Sequence, residues 1–139
     1  MAAFNKFQKF IADLANGGID IATATYKFIL TNNLPDSANW EHYADVTGEL
    51  STLHGYTNGG QSSATISASQ TGGVYTLKLT DISWTATGGS IGPFQYVILY
   101  DTVSNLLIGW FDYGSALTVS SGLPFQIQMN PTTGILQAA

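Results

Sequence analysis

Pro93-Phe94-Gln95-Tyr96-Val97-Ile98-Leu99-Tyr100, then a polar loop from Asp101 to Asn105, then Leu106-Leu107-Ile108-Gly109-Trp110-Phe111-Asp112-Tyr113: this stretch decides the fold. Both runs are rich in β-branched and aromatic residues and the loop between them is short, so they read as an antiparallel hairpin. Successive side chains of a strand point to opposite faces. Phe94, Tyr96, Ile98 and Tyr100 therefore share one face, and Val97 and Leu99 take the other. In the second run Leu106, Ile108 and Trp110 oppose Leu107, Phe111 and Tyr113. A two-layer sandwich buries one face of each strand, yet both faces here are apolar. The hairpin needs a second cover: a helix, a loop or another subunit.

The flanking sequence continues the strand pattern. Ala24 to Thr31 alternates Tyr26, Phe28 and Leu30 against Thr25 and Lys27. Asn32 to Thr47 carries turn residues and Trp40, and Gly55 to Ser63 is a Gly/Asn/Ser-rich segment expected to be a mobile loop. Thr65 to Ser69 is a short strand. Val74 to Thr80 alternates Tyr75, Leu77 and Leu79 against Thr76, Lys78 and Thr80. The apolar parity then flips to Ile82, Trp84 and Ala86, which predicts a β-bulge near Asp81. Leu117/Val119 and Phe125/Ile127/Met129 form two further strands, and Ile135-Leu136 a last one. With no βαβ alternation and no repeat, the chain reads as all-β: an antiparallel β-sandwich, a jelly roll of about eight strands.

Ahead of it, Phe4, Phe7, Phe10, Ile11 and Leu14 recur at helical spacing, and Gly17-Gly18 supplies a stop. Residues 1–18 are thus a short N-terminal amphipathic helix or arm, and 19–139 the β domain. The helix's lysines lie early and its Asp13 late, both opposed to the helix dipole. So short a helix forms only by docking, either as a lid on its own domain or on a neighbour.

Composition excludes several function classes. Of 139 residues only 9% are charged, against about 25% in an ordinary soluble domain, while aromatics reach 12%. The four basic residues are Lys6, Lys9, Lys27 and Lys78, there is no Arg, and the net charge is -5. A nucleic-acid surface needs clustered cations to displace phosphate counterions, and an anionic membrane needs the same; neither is an expected partner. Cysteine is absent, so there is no disulfide framework or thiolate zinc site. No stretch reads as a membrane span or secretory signal, which makes assembly in the producing cell the expectation. A neutral polar exterior is cheap to desolvate and is consistent with broad protein contacts, and equally with a plain soluble β domain of Thr-rich exterior; composition alone does not separate the two.

Chemistry-bearing motifs are sparse. His42 and His54 lie in loop-like sequence without metal-ligand spacing, and no Ser sits in a Gly-x-Ser-x-Gly elbow. Asp45/Glu49 and Asp101/Asp112 are the carboxylates that could meet, and Asp112, between Phe111 and Tyr113, is expected to be partly buried and bonded to a turn. Trp84 and Trp110 fit core or interface, whereas Trp40 and Tyr56 are the loop aromatics that could form an exposed sugar platform. No catalytic residue, cofactor or metal is assigned: the chain reads as a scaffold, not an enzyme.

Several stretches carry a resemblance: Trp84-Thr85-Ala86-Thr87-Gly88-Gly89-Ser90-Ile91-Gly92-Pro93-Phe94, Tyr96 to Asp101, Gly109-Trp110-Phe111-Asp112-Tyr113-Gly114, and the opening Phe4-x-x-Phe7 leading into Thr25 to Leu30. Together these resemble small jelly-roll capsid cement (decoration) proteins of tailed bacteriophages. The resemblance implies a structural virion protein made in the host cytoplasm. It would sit on the outer capsid surface, bind the major capsid protein and form a homodimer or higher oligomer. Phe4, Phe7, Ile11, Val97, Leu99, Phe111 and Tyr113 are the expected partner interface. The alternative is a receptor- or glycan-binding module of a phage fibre or head fibre, since fold does not decide function. A chain opening at Met1 and ending near its last strand reads as standing alone, which favours the cement reading.

Overall fold

A computed structural model describes residues 4–138. The all-β expectation holds: the described residues form ten strands and one α-helix, with the β-ladders antiparallel. In chain order these are β1 (Phe4–Lys6), α1 (Gln8–Ala15), β2 (Tyr26–Thr31), β3 (Gln61–Ser63), β4 (Thr65–Thr71), β5 (Val74–Leu79), β6 (Ile82–Thr85), β7 (Ile91–Asp101), β8 (Leu107–Val119), β9 (Pro124–Ile127) and β10 (Leu136–Ala138). They form a five-stranded sheet in the order β1-β8-β7-β2-β3, a three-stranded sheet β10-β5-β4 and a two-stranded sheet β6-β9.

The predicted hairpin is β7–β8, at the centre of the largest sheet. Val97 pairs with Phe111, and Ile98 with Trp110, so each face carries one of these apolar pairs. Both faces are covered by this chain itself. On the Phe111 side lie Phe4, its ring 5.2 Å from Phe111, and Phe125 of the two-stranded sheet, 5.4 Å from Tyr113. On the Trp110 side Phe7, just ahead of α1, sets its ring 4.7 Å from Trp110, and Tyr43 stacks on Tyr100 at 4.8 Å. The 37–46 segment is laced to the hairpin by backbone bonds from Tyr43 N–H to the Asn105 carbonyl and from Leu107 N–H to the Glu41 carbonyl, both 2.8 Å.

Three local readings are corrected. Phe4 is not the start of the helix: it belongs to β1, paired with Phe111 on β8. Gly109 makes room for it, because a Cβ there would overlap the Phe4 ring and the Asn5 carbonyl. The helix is shorter than the periodic stripe, with no side-chain cap; Phe7 and Phe10 are buried in the domain core while Ile11 faces outward. At Asp81 the chain does not bulge but changes sheet, β5 ending at Leu79 and β6 starting at Ile82 in another ladder. Asp81 marks the corner by accepting the Met129 N–H at 2.6 Å. Leu117 and Val119 are not a separate strand but the far end of β8. The register jumps from Tyr96↔Asp112 to Phe94↔Leu117, so Tyr113 to Ala116 bulge opposite Gln95 alone.

Candidate functional site

The residues expected to meet a partner are mostly interior. Phe7, Val97 and Leu99 are fully buried and Phe111 is nearly so, while Phe4 and Tyr113 are half-buried against the same core. Of the seven, Ile11 alone is exposed. The expectation that the two-faced hairpin presents an interface is therefore corrected: the cover it required comes from the N-terminal segment and the 37–46 segment, and on the Phe111 side from Phe125 of the two-stranded sheet as well. Among the described residues the exposed large apolar side chains are instead Ile11, Leu34, Leu53, Ile66, Val103 and Leu123, scattered over loops, the helix and one edge strand.

Tyr56 is no sugar platform, being buried, and Trp40 is half-buried against the core. Sequence reasoning missed what Tyr56 does. Glu49 gathers three donors: the Tyr43 hydroxyl, the Tyr56 hydroxyl at 2.7 Å and the Gly59 N–H at 2.7 Å. Tyr56 in turn accepts the Leu30 N–H of β2 at 3.1 Å, and the Tyr100 hydroxyl donates to the Gly59 carbonyl at 2.7 Å. Burial first, and then the Glu49 carboxylate, push the Tyr43 and Tyr56 hydroxyls far above their ordinary range, so both stay protonated donors. The node pins the segment from Tyr43 to Gly60 onto the large sheet. The Gly55–Ser63 loop expected to be mobile is held by it, and ends in β3. The one signal in the sequence was a lone carboxylate six residues after one tyrosine and seven before another.

The other carboxylates tell the same story. Asp101, buried, accepts the Val103 N–H at 2.9 Å and the Ser104 hydroxyl at 2.7 Å, closing the hairpin turn. Asp45 accepts the backbone N–H groups of Glu41 and His42, at 3.0 and 2.9 Å, which lower its pKa. Asp20 and Asp36 bond to Ala22 and Asn39 within their own turns. Asp112 is exposed, not partly buried as expected, but it does hold a turn. It accepts the Gln95 amide at 3.0 Å and the Gly114 N–H at 2.8 Å across the β8 bulge, which lowers its pKa. Exposure limits what it contributes: Asp112→Ala is expected to cost no more than about 1 kcal/mol in denaturant unfolding.

Asp13 and Glu41 are the exception. Their carboxyl groups face each other, and the Asp13 Oδ2 is buried with no donor to meet it. Two ionised carboxylates have no proton to share; below about pH 6 a protonated Asp13 supplies one. Burial, the hydrogen bond with Glu41 and the Glu41 charge push Asp13 up to about 6 from 3.8, against the opposing pull of His42 and Lys9. A carboxyl with a raised folded-state pKa binds its proton more tightly when folded. Its contribution to stability is full below about pH 4 and is lost as pH rises through about 6. Asp13→Asn, which donates permanently to Glu41, should remove that decline. Melting temperatures from pH 4 to 8 are expected to diverge in favour of the variant above pH 6; parallel curves would count against the pair.

His42 is exposed, 3.9 Å from Glu41 and 3.8 Å from Asp45. His54 packs by the Gly88–Gly89 turn and its carbonyl accepts the Thr87 N–H at 3.0 Å. Among the described residues no three His, Cys, Asp or Glu side chains could hold a metal ion, and no helix is long and apolar enough to cross a membrane. An open groove of about 520 Å³ is lined by Leu14, Ile19, Ile21, Tyr75 and Ala138, with Asp20 its one carboxylate. It offers no nucleophile beside a base. Comparison with protein families, with curated proteins and with solved structures finds no match for this chain.

Proposed function

We propose that this protein is a structural component of a bacteriophage virion that binds the outer surface of the capsid lattice, through the major capsid protein, and stabilises it. The observation that carries the reading is the neutral exterior combined with the use of the acidic groups. From Leu50 to Leu77 there is no Asp, Glu, Lys or Arg, and this stretch supplies β3, β4 and most of β5. Asp20, Asp36, Asp45, Glu49, Asp81, Asp101 and Asp112 are each bonded to donors of their own chain. Acids used this way build turns and fasten loops. A rigid, weakly charged surface with single exposed apolar side chains suits broad, dry contacts. Many copies on one lattice turn modest single contacts into firm attachment. The same reading takes the architecture as a jelly-roll sandwich, the two smaller sheets together forming the layer opposite the five-stranded one.

The test is to mix the purified protein with expanded capsid shells that lack it and to measure occupancy at low and high salt. Near-complete occupancy, changed little by salt, is the expected result, because neutral contacts are not screened. Bare shells together with adhesion to host cells or glycan arrays would replace this reading with that of a fibre module.

A further inference from the structure

Six strands lie at sheet edges: β1, β3, β4, β6, β9 and β10. Five of them are three or four residues long, one carrying Lys6 and another opening with Pro124. Short strands, lysines and prolines are the usual protections of an edge. The sixth, β4, has seven residues, Thr65-Ile66-Ser67-Ala68-Ser69-Gln70-Thr71, with no charge and no proline. Among the described residues its backbone bonds only to β5. Its ladder closes through Gly72–Gly73, both at positive φ, with Thr71 opposite Val74. In a two-residue hairpin the closing pair exchanges ladder bonds. Counting back by twos, Ser69 bonds to β5, while Gln70 and Ala68 turn N–H and C=O to the open edge.

The sequence of this edge reads nearly alike in both directions about Ala68: Ser67 mirrors Ser69, and Thr65 mirrors Thr71. We propose that β4 pairs antiparallel with β4 of a second copy of this chain, Ala68 opposite Ala68, joining two three-stranded sheets into one of six strands. A two-fold pairing sets each residue against its mirror position, so Ser67 meets Ser69 of the second copy and no like charges meet. Ile66, the extra residue at the β4 bulge and 65% exposed, lies against Gln70 of the second copy at either end. This pairing stands on backbone geometry and is independent of lattice binding; a protein that dimerises this way yet leaves shells bare would lose only the capsid reading.

Charge reversal tests both the surface and the register. Ser67 lies opposite Lys78 on β5, so Glu at position 67 is accommodated within one copy. Ser67→Glu with Ser69→Glu sets two like-charged pairs across the proposed contact and should weaken the dimer about tenfold or more. Ser67→Glu with Ser69→Lys makes both pairs complementary and should restore it. Ala68→Pro, which removes an N–H aimed at the open edge, should give a monomer with an unchanged circular dichroism spectrum. Sedimentation equilibrium reads all four proteins. A wild type that stays monomeric at the highest soluble concentration overturns the proposal. So does a dimer indifferent to the double Glu variant, or a Glu/Lys variant as dissociated as the double Glu one.

Discussion

Leu99→Ala is expected to destabilise the fold by about 2–5 kcal/mol in denaturant unfolding, the range for a large-to-small change in a packed core. Leu99 is fully buried near the C-terminal end of β7, paired with Phe28 on one side and Gly109 on the other. Gly109 has no side chain to close the void, and Phe4 already occupies the space above it. The site therefore collapses poorly and the cost should fall in the upper half of that range. The result separates two accounts of the hairpin. Were Leu99 part of a surface covered by a partner, truncation would weaken association and leave the monomer's stability nearly unchanged.

Glu49→Ala is expected to cost about 2–4 kcal/mol, because it strands the donors of Tyr43, Tyr56 and Gly59 at one place. The loss should be local first. Amide exchange is expected to quicken across the Tyr43–Gly60 segment before the β7–β8 core opens, whereas Glu49→Gln, which keeps an acceptor, should recover part of the stability. Uniform quickening over the whole sheet, or a cost under about 0.5 kcal/mol, would show that Glu49 is not the fastening point.

What the sequence made legible follows from period and burial. Val74–Leu79 and Tyr26–Thr31 lie within two residues of their expected places. In the first, alternation leaves a two-residue signature; in the second, Tyr26, Phe28 and Leu30 carry that period although Ile29 and Thr31 are buried on the other face as well. The double burial of the hairpin was equally plain from Val97, Ile98 and Leu99. What covers it was not. Tyr43 lies in a non-periodic segment, and its stacking on Tyr100 joins residues far apart in the chain. Phe4 fitted a helical stripe as well as any residue in it, yet the space above Gly109 drew it into β1. Asp81 misled for a related reason: a parity flip looks the same whether a strand bulges or the chain crosses to another sheet. Glu49 left only a faint trace, since hydrogen bonding to two tyrosines depends on loop closure.

The claim that this is a lattice-stabilising structural protein is tested most directly by the melting of the shell itself. Expanded shells lacking the protein would be saturated with it and heated, with capsid opening followed by release of an enclosed dye or by calorimetry. Ligand bound to the intact lattice and not to its separated subunits raises the transition by mass action. The transition is expected several degrees higher with the protein than without, and the shift should survive high salt. An unchanged transition at full occupancy would contradict it.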